Sequence, residues 1–209
     1  MKTLIVIPCM DSVPTQFCQS LAMLKKEGEC AIAFQMSSLI YMARNELAMK
    51  AIKMGADYIL WLDSDMVFEP DLMTRLFKTL EEKSADFVSG LYFKRFPPYE
   101  PVAYSTFDIV DDEIKAEKMT DVPKEITSVG GVGFGCVLMS TAMAMAVFDE
   151  YNTMFAPIGN VGEDIAFCYR AKTLGYEILL DPSIRCGHVG HYVVTEDLFN
   201  AMRGQHGNS

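Results

Sequence analysis

The sequence predicts a single α/β domain with a mostly parallel central sheet flanked by helices. Three observations carry that prediction. Short, wholly apolar runs alternate with amphipathic stretches, glycines close most of those stretches, and 209 residues make one ordinary domain around one core. A strand covered on both faces reads as a continuous apolar run, so Leu4-Ile5-Val6-Ile7 signals a buried parallel strand.

Pro8 ends that run, and Phe17, Leu21 and Leu24 then recur at helical spacing until Gly28, a residue suited to a helix C-terminus. Ala31 to Phe34 is a second short strand. From Tyr41 the series Ala43, Leu47, Ala51, with Ala48 and Ile52, marks a helix ending at Gly55, and Tyr58 to Leu62 is a third apolar strand. Glu69-Pro70-Asp71 opens another helix, with proline in its first turn, an acid at its positive end, and Leu72, Leu76 and Leu80 on one stripe. Right-handed crossovers between such strands place their C-terminal ends along one edge, where ligands bind.

Past Phe87-Val88-Ser89 the pattern loosens. Phe96 to Pro101 reads as a loop, Val102 to Phe107 as a strand, and Asp108 to Lys124 as a polar, poorly patterned stretch. The glycines of Gly130 to Gly135 lead into the apolar Cys136-Val137-Leu138-Met139. A helix from Glu163 to Leu174 stops at Gly175 before Ile178-Leu179-Leu180. Residues 1–192 are assigned to the domain, and 193–209 to a C-terminal helix (Glu196 to Met202) with a flexible polar tail.

Eighteen basic against twenty-eight acidic residues leave a net charge of −10, which repels a phosphate backbone and an anionic lipid surface alike. Nucleic acid and membrane are therefore excluded as default partners, and no apolar run approaches the ~20 residues of a membrane helix. The opening Met1 to Ile7 imitates a signal peptide, but Pro8 and Asp11 cut it short, so a cytoplasmic protein is expected. Six cysteines stand without a Cys-x-x-Cys pair, four of them inside apolar stretches, and read as reduced core cysteines, and the cluster Met139, Met143, Met145 reads as core filling.

Chemistry concentrates in four places. Asp63 and Asp65 follow the third strand; residues two apart in extended backbone face one side, so both carboxylates converge while Ser64 points away. Paired acids at a sheet edge are costly without a cation between them, and a hard divalent ion, Mn²⁺ or Mg²⁺, would also admit a diphosphate to this acidic chain. Glu163 and Asp164 open a helix, where the dipole alone would favour them. His188 and His191 stand among Gly187 and Gly190, and imidazole can complete an oxygen-rich metal site. Arg44 and Asn45 begin the second helix, placed for a phosphate and for a base or ribose. The glycine run lacks the Lys-Ser or Lys-Thr of a phosphate loop and reads as backbone that approaches a ligand or another strand.

In this order the segments resemble glycosyltransferases of the GT-A fold, the nucleotide-diphospho-sugar transferases with a Rossmann-like sheet. Leu4 to Pro8 is similar to their first nucleotide-contacting strand, Ala43-Arg44-Asn45 to their nucleotide-side helix, and Leu62-Asp63-Ser64-Asp65 to their Asp-x-Asp. Gly162-Glu163-Asp164 through Gly187-His188-Val189 resembles the stretch ending in a metal-ligating histidine in polypeptide N-acetylgalactosaminyltransferases. The resemblance implies Asp65 and His188 as metal ligands, Asp63 and Ser64 toward the donor sugar or ribose, and Pro8, Met10, Asp11, Arg44 and Asn45 around the nucleotide. It also implies Asp164, with Glu163 next, as the base on the acceptor side. The donor would be a nucleotide-diphosphate sugar and the acceptor a carbohydrate or other hydroxyl compound. Where many relatives carry an acid that reads the base, Phe34-Gln35-Met36-Ser37-Ser38 stands here. The acceptor site would be built from residues 91–160, with a homo-oligomeric partner as a further source of it.

Two other readings compete. Asp63-Ser64-Asp65-Met66-Val67 also satisfies the string of haloacid dehalogenase-like phosphohydrolases, although their motif follows the first strand and this one follows the third. A nucleotide- or sugar-binding module without turnover is compatible with the same fold.

Overall fold

The structure is a computed structural model that describes residues 1–110, 113–190 and 193–206. It begins with β1 (Lys2–Cys9), α1 (Thr15–Met23), β2 (Glu29–Met36), α2 (Ile40–Lys53) and β3 (Tyr58–Leu62), the alternation its apolar runs foretell. A two-residue β4 (Met66–Val67), α3 (Leu72–Lys83) and β5 (Phe87–Leu91) complete the regular half. The second half contributes β6 (Ala103–Val110), β7 (Glu113–Lys118), β8 (Thr127–Ser128), β9 (Gly131–Val132) and β10 (Cys136–Ser140). It continues with α4 (Thr141–Tyr151), α5 (Glu163–Thr173), β11 (Leu179–Arg185), β12 (Gly187–Val189), β13 (Val193–Val194) and α6 (Glu196–His206).

The main sheet has the order β2-β1-β3-β10-β5-β11-β8. Its pairings make β2, β1, β3, β5 and β11 run one way, while β10 and β8 run the other. The predicted mostly parallel sheet is found, with one insertion in its middle that the sequence did not disclose. The chain leaves β5 at the C-terminal edge and builds β6, β7 and β9 as a separate sheet, with β8 added to the outer side of β11 on the way. It then enters β10 from that same edge, which makes this central strand antiparallel. Successive residues of β1 and β3 feed opposite faces: Leu4, Val6, Ile59 and Trp61 pack with α2, α4 and α5, and Ile5, Ile7, Leu60 and Leu62 with α1 and α3.

Several expectations are corrected. Helix α3 begins at Leu72, so the acids of Glu69-Pro70-Asp71 precede its first turn, and Asp71 makes no capping bond. The stretch after Phe107 is not irregular: β6 and β7 form a hairpin. Helix α4 was not foreseen, because its alanines and methionines blur the contrast between buried and exposed faces; Met139 and Met143 are buried, whereas Met145 is exposed. All six cysteines are free, but only Cys136, Cys168 and Cys186 are buried; Cys9 and Cys30 are half-buried and Cys18 is exposed. The glycine run does approach another strand, since a Cβ on Gly130 would lie 2.9 Å from the Thr106 backbone. Helix α6 is tied down through Phe199, buried and stacked on Phe93 at 4.6 Å. Among the described residues no helix is long and apolar enough to cross a membrane.

Candidate active site

A cleft of about 480 Å³ opens over the C-terminal ends of β1 and β3, between α2, α5 and the segment after β5. From the sequence-predicted set, Pro8, Met10, Arg44, Asp63, Ser64, Asp65, Glu163, Asp164 and His188 all border it. Two do not. Asn45 turns into the fold, where Oδ1 accepts from the Met154 and Phe155 amides at 3.0 and 3.1 Å and Nδ2 donates to the Tyr41 carbonyl. Asp11 lies beside a neighbouring hollow with Phe34, Gln35 and Met36 at the outer edge of the sheet. His191 falls outside the described residues.

The Asp63 amide donates to the Gly135 carbonyl at 3.1 Å, so the antiparallel β10 fixes the point where β3 gives way to its turn. The Asp63 carboxylate then meets Arg44, whose Nη2 donates to Oδ1 at 2.9 Å and whose Nε donates to Glu163 Oε1 at 3.2 Å. Arg44 is only 3 % exposed and lies over the Trp61 and Phe134 rings, 5.7 and 5.4 Å from their centroids. Burial would favour loss of its proton, but Asp63, Glu163 and Asp164 outweigh that and raise its pKa. Arg44 is thus a buried tie between the strand end and the first turn of α5, and its ionic bonds are spent on protein carboxylates.

Glu163 is committed to Arg44, whereas among the described residues Asp164 makes no ion pair and its Oδ1 accepts from the Ile165 amide at 2.8 Å. Burial, then the adjacent Glu163 charge, push the Asp164 carboxyl up to about 6 against the opposing pull of Arg44. A carboxylate raised into that range is matched to proton transfer near neutral pH.

His188 reaches Asp65 through a short ladder: β12 pairs with β4, placing His188 opposite Met66, and the Val189 amide donates to the Asp65 carbonyl at 2.8 Å. The His188 Nδ1 lies 2.8 Å from the Phe93 carbonyl, which can only accept, so Nδ1 carries a hydrogen and Nε2 faces Asp65 Oδ2 at 3.3 Å. Burial opposes charge on both groups, yet their mutual contact lowers the Asp65 pKa, helped by Arg95, and raises that of His188. A neutral His188 would point a lone pair at a carboxylate, an arrangement that a divalent cation between them relieves. Carboxylate oxygen and imidazole nitrogen, with the imidazole held by a carbonyl on its far nitrogen, suit Mn²⁺ or Mg²⁺. Among the described residues no group of three or more His, Cys, Asp or Glu is arranged to hold a metal ion.

Three residues of the cleft escaped sequence reasoning. Tyr92 is buried, accepts from the Gly135 amide at 3.0 Å, and lies edge-on to His188 with centroids 5.8 Å apart. Glycines 133 and 135 exist to admit it: a Cβ on Gly133 would strike its hydroxyl, and one on Gly135 would lie 2.7 Å from Cζ. Lys94 bonds Glu100 at 2.7 Å, and Arg95 contacts Asp65 Oδ2. The signal for these was faint: two basic residues in an acidic chain just before a proline loop.

The sheet, with Asp63 and Asp65 on the rim of a cleft at its carboxyl edge, matches a GT-A fold. The model of Glycosyl transferase family 2 matches residues 41–143, from the start of α2 into α4. The crystal structure of A197 from STIV is similar with a TM-score of 0.65 at 20% identity, over 93% of this chain and 94% of that one. GalNAc-T7, determined with UDP, GalNAc and Mn²⁺, is similar with a TM-score of 0.62 at 12% identity, over 97% of this chain. This chain spans 47% of that one, about half its length. No curated protein matches by sequence.

Proposed function

We propose that the protein moves a sugar from a nucleotide-diphosphate donor to an acceptor hydroxyl, with Mn²⁺ or Mg²⁺ at Asp65 and His188. The observation that carries this reading is the pairing of Asp65 Oδ2 with His188 Nε2 at 3.3 Å, across the same cleft as Glu163 and Asp164. The cation, when bound, would supply Lewis-acid stabilisation of the departing diphosphate. Asp63, held by Arg44, would orient the donor sugar or ribose, with Ser64, Pro8 and Met10 along the nucleotide. The base would lie toward Asp11, Phe34 and Gln35, where a side-chain amide replaces the acid of many relatives. Asp164 would accept the proton of the acceptor hydroxyl, because Glu163 is neutralised by Arg44 and Asp164 is not. The GalNAc-T7 complex with UDP and Mn²⁺ supports the donor and metal classes.

The test is release of free nucleoside diphosphate from sugar nucleotides, followed by chromatography with Mn²⁺ and with EDTA. Cation-dependent release that rises with an acceptor sugar is the expected result. Phosphate freed from simple esters, without any nucleotide requirement, would favour the phosphohydrolase reading, and metal-dependent binding without release the binding module.

A further inference from the structure

The segment from Phe93 to Pro101 forms a strap over the cleft. Its two ends are bridged at Phe93 and Pro101, the Lys94 amide donates to the Glu100 carbonyl at 2.9 Å, and Lys94 Nζ bonds Glu100 at 2.7 Å. Its root is fixed twice more, by the Phe93 carbonyl on His188 and by the Phe93 ring on Phe199. Between these anchors Arg95 projects into the cleft, 49 % exposed along its side chain, and its guanidinium contacts Asp65 Oδ2, the oxygen that also faces His188.

The charges of the cleft make that contact consequential. Its acids are Asp63, Asp65, Glu163 and Asp164 and its fixed cations Arg44, Lys94 and Arg95. Arg44 is buried between Asp63 and Glu163, and Lys94 is engaged by Glu100. Arg95 is the cation bonded to the carboxylate that the metal would use. A guanidinium bonded to that oxygen repels a divalent ion and competes with it for the same negative charge. A guanidinium also forms bidentate bonds to phosphate as readily as to carboxylate.

We propose that Arg95 is an exchangeable counter-ion: it closes Asp65 against a bare cation and moves onto the diphosphate when cation and nucleotide enter together. The inference rests on the metal site proposed above and adds that metal and nucleotide are coupled through one side chain of the strap. Removing Arg95 then has effects of opposite sign. The bare cation binds more tightly because its competitor is gone, and the nucleoside diphosphate binds less tightly in the presence of cation because a phosphate partner is gone.

The experiment uses the full chain and Arg95→Gln, with Arg95→Lys as the variant that keeps charge without the planar fork. Free Mn²⁺ is titrated by electron paramagnetic resonance without nucleotide. UDP, GDP, ADP and CDP are then titrated by calorimetry at saturating Mn²⁺. For Arg95→Gln the expected result is Mn²⁺ affinity up about 10-fold and affinity for the preferred diphosphate down about 10-fold, at an unchanged melting temperature, since one good ionic contact is worth about that factor. Arg95→Lys should fall between. Unchanged affinities in both titrations would make Arg95 an ordinary surface pair and overturn the inference, as would a loss of both, which would make it a support of the site. Wild-type protein that binds neither Mn²⁺ nor any diphosphate would overturn the metal reading itself, and this inference with it.

Discussion

Asp164 is the residue where a structural and a catalytic role give different numbers. A helix N-terminus should stabilise an acid there, yet enclosure and Glu163 raise its pKa to about 6 from 3.8. A carboxyl with a raised folded pKa holds its proton more tightly when folded, so its contribution to stability is best below the unfolded pKa and is lost as pH rises through about 6. Asp164→Asn should therefore raise stability at pH 7.5, by at most roughly 3 kcal/mol at ~1.4 kcal/mol per unit, while reducing transfer about 100-fold or more. The wild-type rate should fall about tenfold per pH unit below the Asp164 pKa. Denaturant melts and a pH–rate profile check both; a destabilised variant with full turnover would leave Asp164 a helix-capping acid. The two acids themselves were legible from their place in the sequence. The division of labour between them was not, because it depends on Arg44, which is 119 residues from Glu163 and 19 from Asp63 in sequence. Asn45 shows the same limit from the other side, since its partners Met154 and Phe155 lie across the fold and draw it away from the cleft.

At the scale of elements, legibility followed contrast. The strands β1, β2, β3 and β5 stand out as apolar runs, and α3 shows its Leu72, Leu76, Leu80 stripe. Helix α4 lacks that contrast, although its cap was readable in principle: Ser140 Oγ accepts from the Met143 amide at 3.1 Å. Ser140→Ala should cost about 1 kcal/mol in urea unfolding and leave turnover near wild type, because this end of α4 is remote from the cleft. The glycine run was legible only as a place of close approach; that a tyrosine from the strap root fills it is a tertiary fact. Gly135→Ala would force Tyr92 from its seat beside His188, an overpacking cost of about 1–3 kcal/mol. It should also weaken Mn²⁺ binding, whereas Tyr92→Phe, which keeps the ring, should preserve the metal site. Equal Mn²⁺ affinity in Gly135→Ala and wild type would show that the ring's position does not matter to His188.

The whole molecule sets the condition under which its cleft can work. With a net charge of −10, and with the basic residues bordering the cleft already paired with carboxylates, a nucleoside diphosphate approaches against repulsion until a cation offsets it. The fold brings the two proposed ligands together: the turn after β3 carries Asp65, the short β4–β12 ladder brings His188 from more than a hundred residues away, and under the proposal neither alone would hold the ion. Mass action turns this into a measurement, because a ligand present at 100 times its Kd stabilises the folded state by about 2.7 kcal/mol. For a domain of this size that is a rise in Tm of about 5–10 °C. Nucleoside diphosphate with Mn²⁺ should produce that shift by differential scanning fluorimetry, diphosphate in EDTA should produce none, and Asp65→Asn should abolish it without lowering the basal Tm by more than a degree or two. Equal stabilisation in EDTA would mean that the protein's own cations suffice and that Asp65 and His188 serve the ladder rather than a metal.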